Sequence, residues 1–377
     1  MSLTKISKAA FLVLLGCALE SHGQTYKVLH SFSGSSDGAH PQAGVILDSG
    51  GNLYGTTVSG GLSGVGTIFK LDPNSNSSLV YTFTGGTDGA SPVDKLYRDA
   101  NGNLYGTTES GGSYNQGLAF EISTTGVETV LHVFGARRDG DVPAAGFIQD
   151  SAGNLFGTTM LGGRSNRGTV FKIDPSHNET VLHFFRTDGA LPQGGVILDS
   201  AGNLYGTTYG TSTTWGTVFE LTPAGVSTVL HKFTGKNDGG APRAGLIMDA
   251  GGLLYGTTVY GGAHRAGAVF KVDPVSSVET VLYSFTGGTD GGDPYGALIM
   301  DSSGNLYGTT YYGGTFGYGT IFKLDPAGHE TVLYSFTGGS DGLGPMAGLT
   351  SDGGGNLYGT TYYGGANGVG VVFKLIP

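Results

Sequence analysis

Glu279–Pro326 reads ETVLYSFTGGTDGGDPYGALIMDSSGNLYGTTYYGGTFGYGTIFKLDP. Thr280–Phe285 is β-branched and aromatic, the composition of a strand. Thr286–Pro294 is crowded with Gly, Asp and Pro, the residues of a loop. Tyr295–Asp301 predicts a second strand, Asn305–Tyr311 a third and Thr320–Leu324 a fourth. A tight turn at 302–304 and a glycine/aromatic loop over 312–319 separate them. No part of the stretch sustains the 3.6-residue apolar period of a helix.

The same grammar recurs along the chain. The glycine of the Asn-Leu-Tyr-Gly-Thr-Thr string falls at Gly55, Gly106, Gly157, Gly206, Gly256, Gly308 and Gly359, at intervals of about 50 residues. Seven such copies fill the chain from Tyr26 onward and leave no room for a linker or a second domain. Four short strands per copy, repeated seven times, predict an all-β, seven-bladed β-propeller. A β-solenoid fits less well, because its coils are usually shorter and need fewer hairpin turns. The demand for glycine is high: 72 of 377 residues, against an average near 7%.

The copies resemble the GloVer (Gloeo/Verruco-type) tandem-repeat family of bacterial extracytoplasmic β-propeller-like proteins, in the pattern DG–P–G–L–D–GNLYGTT–GG–GT-F-L over residues 26–377. That resemblance implies a secreted or surface-anchored protein, in some members with a C-terminal sorting anchor; no such anchor is expected here after Pro377. It implies no defined biochemical activity. The Asp–Gly-Asn-Leu-Tyr core is also similar to the strand pair of NHL-type blades. That likeness implies a strand order with Pro-x-x-Gly-x-x-x-Asp innermost, then NLYGTT, GTIFKL and, outermost, TVLYSF. Glycines in mid-strand at Gly44, Gly146, Gly195, Gly245 and Gly348 then fit inner strands crowding the axis. The chain starts on an outer strand (Tyr26–Phe32) and stops on a third one (Val371–Leu375). The N-terminal strand is therefore expected to complete the last blade and hide its edge.

The first 23 residues read differently. Lys5 and Lys8 precede an apolar run, Ala9–Leu19, and the small residues Ser21 and Gly23 follow, as in a secretory signal peptide. The run is too short to span a bilayer, and no later stretch qualifies. The domains expected are a signal peptide, 1–23, and one propeller, 24–377, secreted or periplasmic. Cys17 is the only cysteine, and Leu14-Leu15-Gly16-Cys17 resembles a bacterial lipobox, so lipid anchoring through Cys17 is the alternative. The net charge of −10 and the absence of a basic stripe exclude nucleic acid as a partner and disfavour an anionic membrane surface. A monomer is expected.

In this strand order the outer-to-inner loops (TGGTDGGDP type) and the second-to-third-strand loops (YYGGTFGYG type) share one face, and both are long. Long loops on a rigid scaffold are where function concentrates. Asp37, Asp88, Asp139, Asp188, Asp238, Asp290 and Asp341 recur there, and fit turn-capping better than a cation ring. Asp48 and its six counterparts fit an Asp-turn and lack the oxygen-ligand alternation of a calcium loop. His30, His132, His183 and His231 alternate with Tyr81, Tyr283 and Tyr334 at one outer-strand position, which suits packing with a polar tip. No His pair, Gly-x-Ser-x-Gly elbow or phosphate loop is present. No cofactor is expected; calcium is the one ion to be tested.

Positions that differ between copies are the candidates for function. The residue after the inner-strand proline varies, with Gln193, Arg243 and Tyr295 among its polar versions, and is expected near the channel mouth. Copy 2 departs most: Asp94 and Lys95 interrupt an apolar strand and Glu109 follows its NLYGTT, which makes these three the only candidates for acid–base catalysis. Aromatics gather in the loops of copies 4 to 7, among them Trp215, Tyr260, Tyr312, Phe316, Tyr318 and Tyr363. Flat aromatic faces beside glycine can stack on sugar rings. The expectation is a non-catalytic propeller binding carbohydrate or protein through its long-loop face. A polysaccharide lyase or hydrolase on the same scaffold is one alternative, and a surface scaffold or adhesin is another.

Overall fold

The Leu-Tyr-Gly-Thr-Thr segments set the blades. Thr309 Oγ1 donates to the Ala347 carbonyl of the following blade at 2.9 Å, and Thr310 and Thr320 share a buried hydroxyl–hydroxyl bond at 2.8 Å. Threonine meets both demands, being β-branched for the strand and carrying a hydroxyl whose partners are at hand. Gly308 lies under the ring of Phe322, where a Cβ would stand 2.7 Å from Cζ.

The computed structural model describes residues 24–135 and 138–377. The expected signal peptide and Cys17 lie outside them. Every regular element among the described residues is a strand, and the strands form seven antiparallel sheets arranged as a seven-bladed propeller. One blade comprises Ile299–Met300, Leu306–Thr310, Thr320–Leu324 and Glu330–Ser335, in that order from the channel outward. The second and third blades each add a short piece, Ala90–Pro92 and Asp141–Pro143. In the seventh sheet the order is Thr350–Ser351, Leu357–Thr361, Val371–Ile376 and then Thr25–Ser31, with Tyr26 opposite Leu375. No helix of the described residues is long and apolar enough to cross a membrane.

The inner strand is shorter than expected: only Ile299–Met300 of Tyr295–Asp301 pairs with its neighbour. Upstream of that pair the inner segments touch their counterparts on adjoining blades. A Cβ at Gly348 would lie 2.6 Å from the Ala297 carbonyl oxygen, and one at Gly146 would lie 2.3 Å from that of Lys95. The mid-strand glycines thus exist for backbone contact around the axis. The outer strand starts earlier than expected, at Val278.

The core sits between the blades. Phe285, at the end of one outer strand, meets Phe322 of the next blade edge-on at 5.1 Å, and both are fully buried. Equivalent pairs and their Leu, Ile and Val neighbours form seven separate apolar clusters, one per blade junction.

Candidate functional site

The two acid rows hold the scaffold. Asp290 accepts the Thr286 amide at 2.8 Å and the Tyr283 hydroxyl at 3.0 Å, and also takes the Thr286 hydroxyl. His132 and His231 meet the matching aspartates, Asp139 and Asp238, at 3.0 and 3.3 Å. At the opposite face Asp301 accepts the amides of Ser303 and Asn305, both at 2.9 Å, and the Tyr307 hydroxyl at 3.0 Å. Burial alone would raise its pKa, but these bonds and the Asn305 side chain hold it below the usual carboxylate range. Among the described residues no three His, Cys, Asp or Glu side chains gather as a metal would require.

The channel opens on the long-loop face into a cavity of about 590 Å³, walled by the inner segments of all seven blades. That volume lies within the ordinary range for small-ligand sites. Every residue that follows an inner-strand proline lines it, from Gln42 to Met346, including Gln193, Arg243 and Tyr295. The residue just before each proline adopts a left-handed backbone, φ +57° at His40, +56° at Val142 and +51° at Asp293. Its amide is held by the preceding blade: Asp293 N donates to the Ala266 carbonyl at 2.9 Å. The mouth therefore keeps its shape while its side chains vary.

Those side chains are unequal around the ring. Arg243 lies over the Tyr295 ring, 4.8 Å from its centroid. Tyr295 meets Tyr311 edge-on at 5.2 Å. Burial raises the Tyr209 pKa, with the neighbouring Tyr260 adding to it and the Arg243 charge opposing it. Tyr260 in turn stands 6.5 Å from Trp215. On the other flank Tyr362 stacks on His40 at 4.8 Å. The result is an aromatic arc along blades 4 to 7. The facing wall is Val93, Ala144, Met160 and Glu109. Burial raises the Glu109 pKa, with the Arg243 charge across the cavity opposing it. Burial also pushes Asp293 up to about 6. Asp293 carries no signal in the sequence beyond being the one acid before an inner-strand proline.

Of the residues expected to bind ligand, Gln193, Arg243 and Tyr295 line the cavity, and the loop aromatics do not. Trp215 covers Gly235 of the following loop, where a Cβ would lie 2.3 Å from the indole, and is 45% exposed. Tyr318 covers Gly338 in the same way. Tyr312 packs half-buried against Gly292. Phe316 and Tyr363 remain exposed on the rim. Trp215 and Tyr318 thus have a packing role between blades that their loop position did not suggest.

Asp94, Lys95 and Glu109 all line the cavity. Asp94 accepts the Lys95 amide at 2.6 Å with one oxygen and the Gly146 amide with the other. Burial raises its pKa to about 6, against those bonds and the Lys95 charge. Lys95 Nζ points away, to Thr350 Oγ1 at 3.0 Å. Among the described residues every ion pair within 4 Å is a His–Asp pair, so none joins these three.

A family model described as the Gloeobacter/Verrucomicrobia repeat matches residues 17–212 and 146–373. No curated protein matches the chain in sequence. Among solved structures, the extracellular domain of a protein from B. thetaiotaomicron, described as a one component system, superposes with a TM-score of 0.62 at 14% identity. The match covers 94% of this chain and 41% of that one, so the chain spans about two fifths of its neighbour's length. An oligogalacturonate lyase, solved in complex with manganese, superposes with a TM-score of 0.60 at 11% identity, over 94% of this chain and 97% of that one. At these identities the likeness is one of fold.

Proposed function

We propose, from the premise that this chain belongs to the Gloeobacter/Verrucomicrobia repeat family, that it is an extracytoplasmic binding propeller that takes a carbohydrate at the mouth of its channel. One observation carries the reading: the aromatic arc of blades 4 to 7 meets Arg243, stacked on Tyr295 at 4.8 Å, at the edge of a single asymmetric cavity. Aromatic faces supply contact area at little entropic cost, and the Arg243 and Gln193 side chains supply oriented donors for sugar hydroxyls. No cofactor takes part in this binding. Export rests on the lysine-flanked apolar run at the N-terminus. Both similar structures bear on the fold alone.

The test is a titration of residues 24–377 with neutral and acidic oligosaccharides, followed by calorimetry, with Tyr295→Ala and Arg243→Met beside the parent. Saturable binding that either variant weakens about tenfold supports the reading. Binding unaffected by both variants overturns it, and binding of a protein but no glycan moves the ligand class to protein. Product analysis on the bound glycan tests the enzymatic alternative, in which Glu109 would be the acid.

A further inference from the structure

Two positions of the inner segment are glycine or alanine in six blades: Ala43-Gly44, Ala145-Gly146, Gly194-Gly195, Ala244-Gly245, Gly296-Ala297 and Ala347-Gly348. The second blade alone carries Asp94-Lys95 there. Where this pair stands, a bond between blades that the other inner segments make is missing. Each of the other six inner segments accepts, through a carbonyl, from the first threonine of the preceding blade's Thr-Thr pair, as Ala43 does from Thr360 at 2.9 Å. Thr56, which faces the second blade, is buried with no partner among the described residues.

Lys95 lines the cavity and is exposed to the solvent of the channel. It crosses in front of the first blade to reach Thr350 on the seventh, and the Thr350 hydroxyl in turn donates a hydrogen bond to the Val45 carbonyl of the first. One of three ammonium donors is thereby used, and two are left facing the cavity. The nearest carboxylate, Asp94, spends both oxygens on backbone amides and lies beyond ion-pair distance of Nζ. A cation in a narrow channel, whose neighbouring carboxylate Asp94 is already engaged by two backbone amides, concentrates the field along the axis.

We propose that Lys95 is the seat for a carboxylate at the leading end of the ligand, so that the channel selects an acidic sugar entering end-on. This rests on the reading of the mouth as a carbohydrate site and names the chemical class within it. The arc at the mouth holds the sugar ring, and the carboxylate takes the two free ammonium protons in charge-assisted bonds. A neutral sugar has no carboxylate to reach Lys95 and binds less tightly.

The test is side-chain ¹⁵N NMR of residues 24–377, titrated separately with glucuronate and with methyl glucoside. The Lys95 Nζ resonance is assigned by its loss in Lys95→Ala, a substitution that installs the residue the sixth blade already carries at this position. Expected is a shift of Lys95 with glucuronate alone, and a loss of about tenfold or more in glucuronate affinity in Lys95→Ala, with methyl glucoside affinity unchanged. If Gln193 and Arg243 respond to both sugars while Lys95 responds to neither, the carboxylate seat is overturned and the sugar site stands. If none of the three responds to either sugar, both are overturned.

Discussion

Tyr26, in the first strand of the chain, stacks on Tyr334 of the sixth blade with ring centroids 4.0 Å apart and planes within 8°. Its hydroxyl donates to the Asp341 carbonyl at 2.6 Å, joining residues 315 apart. Tyr26 occupies the place taken by Glu128, Glu279 or Glu330 on other outer strands, and joins the apolar cluster around Phe336 and Phe373. Tyr26→Ala is expected to cost about 3 kcal/mol, the ordinary loss for removing a large aromatic from a packed junction. Urea unfolding reads it directly; an unchanged midpoint would show that the first strand contributes nothing to the sixth junction.

Two glycines separate two reasons for glycine. Gly308 has no room for a methyl group, because Phe322 and Leu298 lie within 3.0 Å of where its Cβ would stand. Gly317 has open space but a φ of +86°. Gly308→Ala is expected to destabilise by about 2 kcal/mol through overpacking. Gly317→Ala should lose only about 1 kcal/mol, the cost of left-handed backbone with a Cβ. Equal losses in thermal unfolding would contradict the packing account of the blade glycines.

The blades were legible because each carries its own local signals. Asn305–Tyr311 and Thr320–Leu324 read as strands from composition, and Asp301 before Gly304 reads as a turn. The position of Arg243 and Tyr295 at the mouth followed from the proline beside them. What stayed hidden depends on neighbours far along the chain. Nothing local to Lys95 indicates Thr350, 255 residues away. Trp215 looked free in its loop because Gly235, which it covers, belongs to the loop of the next blade. Glu279 and Glu330 look like exposed strand ends until the adjoining blade closes over them.

Those glutamates make stability depend on pH. Burial at the junctions pushes Glu128, Glu179, Glu279 and Glu330 up to about 7, with Asp88, Asp139, Asp238 and Asp290 of the adjoining loops adding to it in turn. A carboxyl group whose folded pKa is raised gives stability that is fully present below its unfolded pKa and lost as pH rises through about 7. The turn aspartates, such as Asp301, are lowered and act the other way, losing their contribution as pH falls below about 4. The melting temperature should peak between these limits, near pH 5, and decline toward pH 8. Glu279→Gln should flatten the decline while leaving the value near pH 5 in place. A parent protein most stable at pH 8 would be incompatible with protonated junction glutamates.

Substitution can separate the cavity from the rim. Arg243 presents its donors at the cavity and packs by one face on Tyr295, whereas Trp215 is spread over Gly235. Arg243→Met keeps much of the side-chain bulk and removes the oriented donors, so glycan affinity should fall about tenfold with little change in melting temperature. Trp215→Leu uncovers Gly235 and part of the loop that Trp215 holds, so it should lower the melting temperature by a few degrees. Its effect on affinity should stay within about threefold, since Tyr260 intervenes between it and the residues at the cavity edge. Calorimetric titration and thermal unfolding of the two variants give four values. If the affinity loss belongs to Trp215→Leu and the stability loss to Arg243→Met, the ligand lies on the rim and the cavity is not its site.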